Sequence, residues 1–190
     1  LRDMPTFEIP MRGRRLSVRE LSLGSRERVA LTGDNGAGKS MLLRRLVPEL
    51  KLLSEELLYM PQELDASMTA AIRETLLRLA KTDYSRVMNV IASLGSVPER
   101  VMNAENCSPG EWRKLFFGLG VLRKIRLIVM DEPTNHLDLP SIECLEAALA
   151  DCECALLLVS HDKIFLNRLC TVRWRIETVS KDENRLLRLP

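Results

Sequence analysis

Apolar residues recur along the chain with two spacings, and the switches between them predict an alternation of strands and helices. Residues 28–32 and 56–60 are short, largely apolar runs that read as strands. Residues 125–130 and 154–160 are β-rich apolar runs without alternation, as expected for strands covered on both faces. Residues 172–176 alternate and predict a further strand, with 186–189 as the last. Helical spacing marks residues 41–47, which Pro48 is expected to stop. It returns over 68–81, where Arg73, Glu74 and Arg78 oppose an apolar stripe, and continues over 84–94 and 139–150. Ser108, Pro109 and Glu111 supply a helix start with both parts of a capping box, so a helix should run from there to about Arg123. The helical stretch 139–150 between two apolar strands predicts a βαβ unit, hence a mostly parallel sheet of the α/β class.

Chemistry concentrates where strands end. Gly33, Asp34, Asn35, Gly36, Ala37, Gly38, Lys39 and Ser40, with Met41 opening the helical run, fit the phosphate-loop pattern between a strand and a helix. Glycines let such a backbone wrap an anion, and the helix N-terminus adds positive potential. Lys39 is expected on the β- and γ-phosphates and Ser40 on Mg²⁺. The alternative is a glycine-rich turn that binds nothing, although a turn has no need of the Lys-Ser pair. Asp131 and Glu132 follow the strand 125–130, at the sheet edge where open parallel sheets bind ligands. Asp131 is expected to complete the metal site and Glu132 to polarise a water in line with the γ-phosphate.

The 190 residues, 46% hydrophobic and 28% charged, fit one well-cored domain, and the net charge of +2 does not by itself point to nucleic acid or membrane. Arg12, Arg14, Arg15 and Arg19 form a basic cluster that reads as a solvated surface. The five cysteines lack metal spacing and are expected to be reduced, buried thiols of a cytoplasmic protein, with no zinc site. No apolar run suits a membrane span and no leader is visible, so no direct membrane insertion is expected. A chain that opens on Leu1 is expected to be part of something longer.

The phosphate loop, Gln62 after a strand, Ser108 to Glu111 opening a helix, Leu127 to Asp138 (LIVMDEPTNHLD) and Ser160-His161-Asp162, in this order, resemble an ATP-binding cassette domain over nearly the whole chain. The run Glu132 to Asp138, with Ser160 to Leu166 and Trp174, resembles subfamily F, whose members carry two cassettes on one chain and act on the ribosome. The resemblance implies a P-loop NTPase core at 1–61 and 124–190, a trimmed antiparallel β-subdomain, and a small helical subdomain at 62–123. It implies ATP and Mg as cofactors, with Ser40, Gln62 and Asp131 at the metal. It further implies that Gln62 contacts the attacking water, that His161 steadies the γ-phosphate, and that Ser108 and Gly110 meet the ATP of a second cassette. Asp138 matches an aspartate at the interface between cassettes, and His136 identifies the subfamily without a chemical step. The aromatic that stacks on adenine is expected about two dozen residues before the loop, where Phe7, 26 before Gly33, stands. Pro109 departs from the usual signature glycine and removes one backbone donor.

The implied activity is ATP hydrolysis, weak in isolation because each site needs the other cassette, in the second cassette of an F-type translation or antibiotic-resistance factor. Ribosomal RNA then becomes a partner through the parent protein. A transporter ATPase subunit and a regulatory ATP-binding module with little turnover stay open as alternatives.

Overall fold

A computed structural model describes residues 2–102 and 107–189. Residues 103–106, where no site was expected, lie outside that description, as do the two end residues. A two-stranded antiparallel ribbon pairs β1 (Arg2–Met4) with β4 (Leu21–Leu23). The remaining strands form one sheet in the order β2 (Phe7–Met11), β3 (Arg14–Val18), β10 (Glu183–Leu189), β9 (Val172–Thr178), β5 (Arg28–Gly33), β8 (Ala155–Val159), β7 (Leu127–Asp131) and β6 (Leu57–Met60). From β9 to β6 the pairing is parallel, while β2–β3 and β9–β10 are antiparallel. The result is the mixed α/β architecture expected of a P-loop NTPase core.

Every residue of β7 and β8 is buried, which explains why neither strand alternates in sequence. Alternate side chains still face opposite ways. Val29, Leu31, Leu127, Val129, Leu157 and Val159 join Leu42, Leu43 and Leu46 of α1 (Lys39–Glu49) in one core. Ala30, Ile128, Met130, Leu156 and Leu158 pack on the other face with α6 (Leu139–Ala150) and α7 (Lys163–Leu169). Between β6 and β7 the chain forms α2 (Ala66–Arg78), α3 (Lys81–Ser93), α4 (Pro98–Val101) and α5 (Pro109–Val121). These helices share a third core that includes Ile72, Leu76, Val87, Ile91 and Leu115.

Two local expectations need correction. Pro48 does not stop α1, which runs on to Glu49. The proline forfeits its own donor in the last turn, but Leu50 N–H still reaches the Leu46 carbonyl at 3.2 Å, so the turn closes around it. The five cysteines are free but half-buried rather than buried, because they lie on the margins of the cores, four of them beside element ends and Cys144 within α6. Among the described residues no helix is long and apolar enough to cross a membrane.

Candidate active site

The phosphate loop occupies the turn between β5 and α1. Ala37 N–H closes on the Asp34 carbonyl at 3.1 Å, and Gly38 takes φ +107° as the residue before the helix. Only glycine suits that position, because a Cβ there would be strained and would sit 3.0 Å from Met11 Sδ. Gly38 offers no side-chain cap and the first turn of α1 carries no acidic residue. The orphan N–H groups and positive dipole end therefore fit a phosphate group. Lys39 folds its ammonium back over the loop, donating to the carbonyls of Gly33 at 2.8 Å and Asp34 at 3.1 Å. Ser40 follows within the first turn of α1, and Met41 is exposed on it.

Sequence reading missed what anchors this loop from behind. Asn184, fully buried on β10, donates its Nδ2 to the Ala37 carbonyl at 3.1 Å. The two residues are 147 positions apart, and only the sheet order makes them neighbours.

Asp131 ends β7 buried, and Glu132 turns the chain with φ +52° while its N–H keeps the sheet bond to the Val159 carbonyl at 2.8 Å. A left-handed conformation costs a non-glycine residue about 1–2 kcal/mol. It lets the next residues fold back, with Asn135 N–H on the Glu132 carbonyl at 3.2 Å. The Glu132 side chain is only 7% exposed, yet both its oxygens are engaged. Oε2 accepts from the His161 backbone N–H at 3.2 Å, and Oε1 lies 3.4 Å from His161 Nε2. Ser160 is tied to Thr134 by an Oγ···Oγ1 contact of 3.3 Å, and Asp162 caps α7 through Ile164 and Phe165 N–H groups. The imidazole itself is 65% exposed.

A second residue that sequence reading did not single out supports the pair. Arg113, on α5 and nearly fully buried, donates to Met60 Sδ at 3.4 Å, to the Pro61 carbonyl at 3.3 Å and to the Gln62 carbonyl. Burial pulls its pKa below the usual guanidinium value, while Asp131 and Glu132 push it back up. Burial raises the Tyr59 phenol, and the Asp131 charge adds to the effect. Gln62 is therefore held by its main chain, with its exposed side chain directed by no bond of its own in these contacts.

The expected site residues fall around separate openings. Gly33, Asp34, Lys39, Ser160 and His161 line one cavity of about 450 Å³. Gln62 borders another, of about 490 Å³, with Pro109, Trp112, Arg113 and His136. Ser108, Gly110, His136 and Asp138 border a third, of about 280 Å³. Here Ser108 and Glu111 form the reciprocal capping box of α5, with Pro109 at its first position. Gly110 packs so closely that a Cβ would lie 2.5 Å from the His136 carbonyl. Lys114 Nζ bridges Ser96 Oγ at 2.9 Å and Ser141 Oγ at 2.7 Å, and Asp138 Oδ1 accepts from Ser141 N–H at 3.1 Å. Phe7 lines none of these cavities. Its ring lies 5.6 Å beneath the Arg45 guanidinium, and the β2 residue against the phosphate loop is Met11, about 13 Å further along the strand.

A phosphate loop joined to a strand-end acidic pair and a histidine just past the end of the neighbouring strand defines a nucleotide-binding domain of the P-loop class. The chain belongs to the ABC transporter family, whose model matches residues 16–135. It is 36% identical over 162 residues to the ATP-binding protein Uup of Caulobacter vibrioides, covering 78% of this chain and 25% of that protein. It is 30% identical over 172 residues to ABC transporter F family member 2 of Arabidopsis thaliana, covering 80% and 25%. Its backbone matches the dimeric structure of the ATP-binding cassette MJ0796 bound to ADP and Pi at a TM-score of 0.65, 15% identity, 94% of this chain and 93% of that one. The chain spans about a quarter of the length of the curated relatives it matches. It is thus an ABC ATP-binding domain, of a family that is generally ATPase.

Proposed function

We propose that this domain hydrolyses ATP as half of a two-cassette site. The observation that carries this reading is the Glu132 carboxylate, held by both the backbone and the ring of His161, which itself lines the phosphate-loop cavity with Lys39. Lys39 and the loop N–H groups hold the phosphates, and Ser40, Asp131 and Gln62 hold Mg²⁺. The ion screens phosphate charge when bound. Glu132 accepts a proton from the water it orients, while His161 fixes that carboxylate and faces the terminal phosphate. Met11, rather than Phe7, is the β2 residue placed to face the nucleotide beside the loop.

The second half of the reading concerns Ser108 and Gly110. They border a cavity distinct from that of Lys39, which supports their use on the nucleotide of another cassette. A solved ATP-binding cassette of like fold, bound to ADP and Pi, is itself a dimer. Pro109 is compatible with it, since the first helical position forms no intrahelical bond through its nitrogen. The helical segment 62–123 acts as a subdomain that carries these residues toward or away from the partner. The Glu132–Asp138 run and the likeness to a protein named for the F family favour a parent chain with two cassettes that works on the ribosome, in the cytoplasm.

Glu132→Gln tests the assignment. Turnover should fall by about 10²–10⁴-fold with ATP still bound, and the variant with ATP should sediment as a dimer where the wild type does not. Equal ATP turnover by wild type and variant overturns the role given to Glu132.

A further inference from the structure

The cavity beside the phosphate loop extends past the loop itself, and its far end is cationic. Gly33, Asp34 and Lys39 border one side of its volume of about 450 Å³, while Lys163, Arg173 and Arg175 border the other. Sheet register explains the juxtaposition. β9 runs parallel to β5 with Arg173 beside Ala30 and Arg175 beside Thr32, the residue before the loop. Neighbouring strands lie about 4.8 Å apart, so Arg175 is rooted within side-chain reach of the loop. Trp174 and Ile176 turn into the core shared with α1, so the arginines that alternate with them project from the opposite face, on which α7 packs. Lys163 and Asn167 are one turn apart on the same side of α7 and complete that wall.

The charges are unequally spent. Arg175 Nε lies 3.2 Å from Glu177 Oε1 on its own strand, which offsets part of its charge. Arg173 donates instead to Asn167 Oδ1, an amide that orients the guanidinium without cancelling it. Lys39 donates to two loop carbonyls, which likewise leave its charge in place. Asp34 is the one carboxylate among the described lining residues. Asp162, beside Lys163, gives its Oδ1 to the N–H groups of Ile164 and Phe165.

We propose that this cationic end is a binding site for inorganic phosphate, which receives the ion freed from ATP and lets it leave without passing back over the diphosphate. The proposal rests on the hydrolytic reading above. Cleavage leaves two anions side by side, and their repulsion opposes the product state. Arg173 and Lys163 offer the freed ion a counter-charge further along the same cavity, while the loop and Lys39 keep the diphosphate. The planar fork of Arg173 suits two phosphate oxygens at once, and Lys163 adds a compact charge.

Isothermal titration of inorganic phosphate into the 190-residue chain saturated with MgADP reads this site without any turnover. Phosphate should bind, and Arg173→Gln combined with Lys163→Gln should weaken it about tenfold or more, as loss of charge-assisted bonds requires. Arg175→Gln alone should weaken it less than Arg173→Gln alone, because Glu177 already draws on that charge. All three side chains belong to exposed residues, so the variants should fold, and MgADP affinity within about twofold of wild type checks that the loop is intact. Because no turnover is needed, Arg173-dependent phosphate binding supports the site even if Glu132→Gln leaves hydrolysis unchanged. Active hydrolysis without phosphate binding sinks the site alone. The proposal is also overturned if the double variant binds phosphate as tightly as wild type, or if a short RNA duplex binds through Arg173 where phosphate does not.

Discussion

Replacing Arg113 by methionine keeps most of the buried stem and removes the fork that grips the Gln62 turn. The guanidinium bonds two consecutive carbonyls and Met60 sulfur while only 3% exposed. Hydrogen bonds from a charged group contribute about 1.5–3 kcal/mol each, so the two carbonyl bonds set a gross loss of roughly 3–6 kcal/mol. Removing a buried charge recovers part of this, because its desolvation no longer opposes folding. A net destabilisation of about 2 kcal/mol follows, read as a fall in Tm of roughly 4–8 °C for a domain of this size. Urea unfolding gives the free energy independently of the melt. Arg113→Lys should restore less than half of the loss, since an ammonium cannot present a planar fork to two carbonyls. Magnesium-dependent ATP binding should weaken in Arg113→Met more than metal-free binding does, because it is the Gln62 turn that loosens. A variant within about 0.5 kcal/mol of wild type, the ordinary range for a neutral surface change, refutes the reasoning.

Gly110→Ala should destabilise by about 1–3 kcal/mol through the 2.5 Å approach to the His136 carbonyl, although alanine is the better helix former; a calorimetric Tm at or above wild type contradicts that close contact. Asn184→Asp sets a carboxylate against the Ala37 carbonyl in a fully buried position and should cost about 3–5 kcal/mol at neutral pH. Because burial raises the native pKa of such an acid, the penalty is absent below the unfolded value of about 3.9 and grows as pH rises above it, which a pH series of urea midpoints will register. Asp138 behaves in the opposite sense: hydrogen bonds from the Ser141 side chain and then its backbone lower the native pKa. Its contribution is complete above the unfolded value and is lost as pH falls through the lower native one. Asp138→Asn should therefore flatten the acid limb of the same series.

What could be read from sequence was what the chain encodes locally. The phosphate loop, the acidic pair at the end of β7 and the capping box of α5 each depend on residues a few positions apart, and all stand where spacing put them. Arg113 and Asn184 escaped because their partners are 51 and 147 residues away, and neither side chain announces a buried role in its own segment. Pro48 misled because proline's missing donor was treated as a stop, whereas a neighbouring bond can carry the last turn past it. Phe7 rests on distance along the chain alone, and that distance says nothing of the strand direction that sets its ring under Arg45 and Met11 against the loop.

The bond from Asn184 to Ala37 has a consequence for synthesis. During synthesis the phosphate loop emerges well before the strand that fastens it from behind, since 147 residues separate Ala37 from Asn184, and β10 must also find β3 across the sheet. Until then the loop is a nascent segment without its rear support, and long-range pairings of this kind form slowly. A nucleotide that needs the loop in its anchored form therefore stabilises this domain fully only once β10 has docked.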